Sequence, residues 1–106
     1  MRTLETIRRY NFAQKNHWQL MCDFSDNDYD IKYFDGRQTA NIELEEFLQE
    51  NDEFNIDKIL NYLTDKYEEY TLMHLKFYRE NNCYNEFYGG YVSETDLLAK
   101  IVKQNY

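Results

Sequence analysis

Glu68-Glu69-Tyr70-Thr71-Leu72-Met73-His74-Leu75-Lys76-Phe77-Tyr78-Arg79-Glu80 is the stretch whose reading decides the fold. Just before it, Ile56, Ile59, Leu60, Leu63, Tyr67 and Tyr70 recur at helical spacing and predict an amphipathic helix capped by Asn55. The quoted residues could extend that helix. Their aromatic and β-branched content instead favours a strand over 71–78. Glu80-Asn81-Asn82 then turns the chain, and residues 83–88 return as a second strand closed by Gly89-Gly90. Leu97, Leu98, Ile101 and Val102 give a final helix its apolar face, with Ser93 and Asp96 resembling a capping box.

Towards the N-terminus the same order recurs. Residues 3–15 read as a helix carrying Leu4, Ile7, Asn11 and Phe12. From His17 to Phe24 the side chains alternate, with Trp18, Leu20, Cys22 and Phe24 on one side, which predicts a strand with a strong inner face. Ser25-Asp26-Asn27-Asp28 is a turn cluster, residues 29–34 form the returning strand, Asp35-Gly36 ends it, and a helix follows with Leu44, Phe47 and Leu48 apolar. Trp18–Met21 aligns with Tyr70–Met73, Phe34-Asp35-Gly36 with Phe87-Tyr88-Gly89, and Leu44, Phe47 and Leu48 with Leu98, Ile101 and Val102, at separations of 52, 53 and 54. The expectation is a single α+β domain over 1–106. Two degenerate helix–strand–strand–helix repeats, about 3–51 and 55–105, would form a four-stranded antiparallel sheet packed with helices.

A chain of 106 residues suits one domain, and 18% aromatic residues argue against disorder despite a mean hydropathy of -0.90. No apolar run follows Met1-Arg2-Thr3, and no stretch has transmembrane length, so a cytoplasmic protein is expected. Cys22 and Cys83 lack CxxC spacing and read as free thiols in a reducing compartment. Abundant Asn, Tyr, Lys and Ile, whose codons are AT-rich, point to a low-GC bacterium or its mobile elements.

Charge is distributed unevenly. The net charge is -8, yet residues 1–18 carry +3 and residues 58–106 only -1. Residues 19–57 hold twelve acidic side chains against Lys32 and Arg37, a local net of -10. A surface this acidic repels free nucleic acid and anionic membrane and attracts basic partners. Glu43, Glu46 and Glu50 share one side of their helix over roughly 10 Å. Phosphates on a DNA strand rise about 3.4 Å each, so such a row can imitate about three of them. Asp23, Asp26, Asp28 and Asp30 supply a second row, and Asp52 and Glu53 extend the acidic region. A solvated face that only aids solubility is the competing explanation.

Other constellations are weaker. Asp26-Asn27-Asp28-Tyr29-Asp30 opens like a calcium loop, but Ile31 and Arg37 stand where glycine and a bidentate glutamate are required. Glu5, Asp23 and Asp30-Ile31-Lys32 resemble the pattern of restriction-type nucleases, which implies two carboxylates holding Mg²⁺ and a lysine assisting water. His17, Cys22, His74 and Cys83 match no zinc-ligand spacing. Arg8-Arg9 with Tyr10, Phe12 and Trp18 could stack on single strands, against the overall charge. Tyr84, Phe87, Tyr88 and Tyr91 offer an aromatic surface or a homodimer seam.

The reading that follows is a non-enzymatic inhibitor without cofactor or metal. Its partner-binding residues are Asp23, Asp26, Asp28, Asp30, Glu43, Glu46, Glu50, Asp52 and Glu53. It would block a basic nucleic-acid-binding protein, such as a Cas or restriction enzyme, by DNA mimicry, without touching nucleic acid or membrane itself. In size, charge and codon bias the chain resembles phage anti-CRISPR and anti-restriction proteins. The alternatives are a homodimeric structural or immunity-type protein and a small Mg²⁺-dependent nuclease.

Overall fold

The computed structural model describes residues 4–50 and 55–104. It contains four helices: α1 (Leu4–Phe24), α2 (Asp28–Glu50), α3 (Ile56–Arg79) and α4 (Asn85–Gln104). Helices make up 91% of the described residues, and no strand occurs among them. The fold is a helical bundle, so the expected α+β architecture with a four-stranded sheet is overturned.

The local reason is visible along α1. Trp18 and Cys22 are four residues apart and face inward, while Leu20 and Phe24, also four apart, face solvent at 52% and 79% exposure. Two helical pairs offset by two positions imitate the period of a strand. In α3 the stripe carries on beyond Tyr70 through Met73, His74 and Phe77, all partly buried, while Leu72 and Leu75 are exposed. The helix therefore continues where the aromatic content suggested a break, because packing against α4 outweighs local propensity.

The helix ends follow capping chemistry. The Asn27 side chain accepts from the backbone N–H groups of Tyr29 and Asp30 (2.8 and 3.2 Å) and starts α2. Asn55 does the same for Asp57 and Lys58. At the end of α3, Asn82 N–H bonds Phe77 C=O and Asn81 N–H bonds Tyr78 C=O, with Asn81 at φ 53°. That is a Schellman motif with asparagine in the left-handed position. Ser93 lies inside α4 and donates to Gly89 C=O, so it caps nothing.

The glycines read as strand ends lie within helices. Gly36 of α2 and Gly90 of α4 are buried where the two helices cross. A Cβ at Gly36 would fall under 3.0 Å from the Phe87 carbonyl, and one at Gly90 under 3.0 Å from the Tyr33 carbonyl. Gly36 also faces Tyr91 N, and Gly90 faces Arg37 N. The crossing is reciprocal, and only glycine lets the backbones approach so closely.

α1 packs on α2, α3 on α4, and α2 on α4. Ile7, Leu44, Leu48, Ile59, Leu63, Leu98 and Val102 form the apolar core. These residues come from the start of α1 and α3 and the end of α2 and α4, so the core fills one end of the bundle. The α1–α2 and α3–α4 connections lie at the other end. None of the helices, over the described residues, is long and apolar enough to cross a membrane.

Candidate protein-binding surface

Above the apolar core a polar layer joins three helices. Glu94 of α4 is 0% exposed and its carboxylate takes five N–H contacts from four residues. Its Oε1 accepts from Arg37 Nε (2.9 Å), Arg37 Nη2 (2.8 Å) and Trp18 Nε1 (3.2 Å). Its Oε2 accepts from Asn41 Nδ2 (2.8 Å) and Gln14 Nε2 (3.2 Å). Asn11 and Asn41 are buried beside it and bond to each other. The Arg37 guanidinium lies 4.3 Å from the Trp18 ring centroid and donates to the Tyr33 hydroxyl. Five donors fill the lone pairs of one carboxylate, so the layer holds helices together rather than receiving a ligand.

On the other flank Tyr91, also fully buried, stacks on Tyr70 at 3.6 Å and donates its hydroxyl to Glu43. Burial, and then the Glu43 carboxylate, push the Tyr91 hydroxyl well above its ordinary value. Tyr62 is raised in the same way, by burial and then Glu43. Lys66 reaches Glu43 at 3.8 Å.

The sequence-predicted acidic residues therefore divide. Glu43 is partly buried and engaged by the Tyr91 hydroxyl and by Lys66. Glu46 and Glu50 are exposed near the apolar end. Asp52 and Glu53 lie outside the described residues. Asp23, Asp26, Asp28 and Asp30 gather at the α1–α2 corner, all exposed. From Asp30 to Glu46 is about 24 Å along α2. The acidic residues thus do not make one continuous face, and the three-carboxylate row on α2 loses its first member.

Within the corner, Asp28 and Asp30 occupy the first turn of α2, where the helix dipole favours carboxylates. Asp23 occupies the last turn of α1, where the dipole opposes it and no basic residue compensates. It accepts only from Gln19 (3.0 Å) among the described side chains. Next to it Phe24 is 79% exposed, and Tyr29 across the loop is 57% exposed. None of these four aspartates pairs with Lys or Arg among the described residues. Lys32 points instead at the Tyr84 ring, 5.6 Å away. Behind the corner, burial followed by Asp35 and Asp23 raises the Cys22 thiol above its usual value.

The other constellations disperse. Glu5 and Asp23 stand about 27 Å apart along α1, which separates the nuclease-like set. No three of His, Cys, Asp or Glu group as a metal site among the described residues, so His17, Cys22, His74 and Cys83 form no cluster. Arg8 donates to Leu48 C=O (2.9 Å) and Arg9 pairs with Glu5, lining a groove of about 310 Å³ with Phe12 and Glu45. Of the aromatic group in 84–91, Tyr91 is core, Tyr88 stacks on Phe77 at 5.1 Å, and Tyr84 alone is largely exposed. The residues that sequence reasoning missed are Phe24 and Tyr29, assigned to strand faces, and the Arg37–Glu94 pair, separated by 57 positions with no local signal.

Compared with family models, curated proteins and solved structures, the chain matches none. The fold and surface define a small helical bundle with an acidic, aromatic corner at its loop end.

Proposed function

We propose that this chain is a non-enzymatic binding protein whose α1–α2 corner seats in a basic groove of a nucleic-acid-binding partner and blocks it. The supporting observation is the juxtaposition of Asp23 and Phe24 at the end of α1. The carboxylate opposes the helix dipole and gives the fold one exposed hydrogen bond, from Gln19 (3.0 Å), and the ring is left in water. Both become favourable against a partner that supplies Arg or Lys for the carboxylates and an apolar slot for the ring. Asp26, Asp28 and Asp30 widen the negative field and steer association. The mimicry is therefore that of a compact anionic knob rather than of a phosphate row along α2.

The experiment is capture by the immobilised chain from a low-GC bacterial lysate at low and moderate salt. The expected result is retention of a nucleic-acid-binding protein that salt and competing duplex DNA both release. Retention should be lost with Phe24→Ala and with Asp23→Lys/Asp26→Lys, whose helicity stays native. If the variants retain the same protein as the wild type, the corner is not the binding surface.

A further inference from the structure

The outer face of α3 carries a second pattern, on the hairpin that does not contain the acidic corner. Asp65, Glu68, Leu72, Leu75, Lys76 and Arg79 are all exposed, Leu72 at 69% and Leu75 at 43%. Apart from Lys76, which adjoins Leu75, their spacing of three and four places them on one stripe over about four turns. None of the four charged groups has an ion-pair partner among the described residues. The stripe is ordered by sign: acidic first, leucines in the middle, basic last.

We infer that α3 pairs with α3 of a second copy of this chain, antiparallel, about a twofold axis passing near Leu72. In that arrangement the charged ends of the stripe complement each other, while Leu75 has Glu69 of the second copy as its counterpart. Residues four and seven positions either side of Leu72 lie about 6 and 10.5 Å from the axis. Glu68 then meets Lys76 of the second copy, and Asp65 meets Arg79. The symmetry repeats each contact, giving four opposite-charge pairs around the two Leu72 side chains at the axis. A parallel pairing would set acid against acid and base against base, so charge selects the direction. Two helix faces of this length bury less than about 1,200 Å², the range of weak, reversible association. The surface is separate from the α1–α2 corner, so the dimer and the partner-binding reading stand or fall independently.

Sedimentation equilibrium of the full chain tests the inference, from about 1 μM to about 1 mM, where an interface of this size half-saturates. The expected result is a mass rising from the 13.1 kDa monomer towards twice that value, with less dimer at high salt. Leu72→Glu should hold the chain monomeric throughout. Asp65→Lys/Glu68→Lys turns all four pairs repulsive and should weaken the dimer at least about tenfold. Adding Lys76→Glu/Arg79→Glu to that variant restores opposite signs and should restore the dimer. Circular dichroism checks that each variant keeps its helices. A monomer at every concentration overturns the inference and leaves the face for another chain. So does a dimer indifferent to Leu72→Glu, or a fourfold charge swap no better than the double one.

Discussion

Replacing Gly36 by alanine sets two known effects against each other. In a helix interior alanine is favoured over glycine by about 1 kcal/mol, so an unobstructed Gly→Ala change stabilises. At Gly36 the new Cβ would fall under 3.0 Å from the Phe87 carbonyl, and at Gly90 under 3.0 Å from the Tyr33 carbonyl. Both obstacles are backbone atoms, which no rotamer change can remove. The helices must separate, and overpacking of this kind costs about 1–3 kcal/mol or more. The net expectation is destabilisation of up to about 2 kcal/mol at either position once the propensity gain is subtracted. Gly89 is the internal control. The nearest atoms to its Cβ would be those of the His74 ring, at 3.2 and 3.3 Å, a side chain held by a hydrogen bond to Asn85 C=O (2.8 Å) rather than a backbone. Gly89→Ala is therefore expected to stay within about 1 kcal/mol of the wild type, above either of the other two variants. Urea unfolding followed by far-UV circular dichroism measures all three, with an unchanged slope confirming a common unfolded state. Gly36→Ala plus Gly90→Ala should cost less than the sum, since one separation relieves both clashes. A midpoint for Gly36→Ala as high as that for Gly89→Ala would refute the close crossing of α2 and α4.

Two further outcomes follow from the polar groups. Glu94→Ala strands the Arg37 charge and should cost about 3–5 kcal/mol, whereas Glu94→Met/Arg37→Met should recover much of it; equal losses in the single and double variants would show that the pair is not coupled. Tyr91 and Tyr62 have raised values in the folded protein, so the folded state holds protons that the unfolded state releases above the ordinary tyrosine value of 10.0. The stabilisation they give is complete below that pH and is lost as pH climbs beyond it. Urea midpoints should fall above pH 10.0, with a shallower fall in Tyr91→Phe; a flat profile there would contradict the burial of these hydroxyls.

Much of the punctuation was legible in the sequence. Asn55 begins a helix, the 25–28 and 80–82 clusters fall at or beside connections, and Ile59, Leu63, Leu98 and Val102 enter the core. The elements between were misjudged where two helical pairs interleave, as at Trp18, Leu20, Cys22 and Phe24. Gly36 and Gly90 look like terminators because a sequence does not show which backbone lies opposite. The charge concentration at Asp23–Asp30 was readable. The internal use of Glu43 was not, since Tyr91 and Lys66 reach it from other helices.

The carboxylate of Glu94 also has a consequence for alignment. A slip of α4 by one turn, about 5.4 Å, would carry Glu94 away from Arg37, Trp18, Gln14 and Asn41 together. Leucine and valine contacts tolerate such a shift, because one apolar side chain can replace another. An unaccompanied charge cannot be so accommodated. Glu94 acts as a key that fits one notch, and it selects among packings that the greasy end of the bundle would scarcely distinguish.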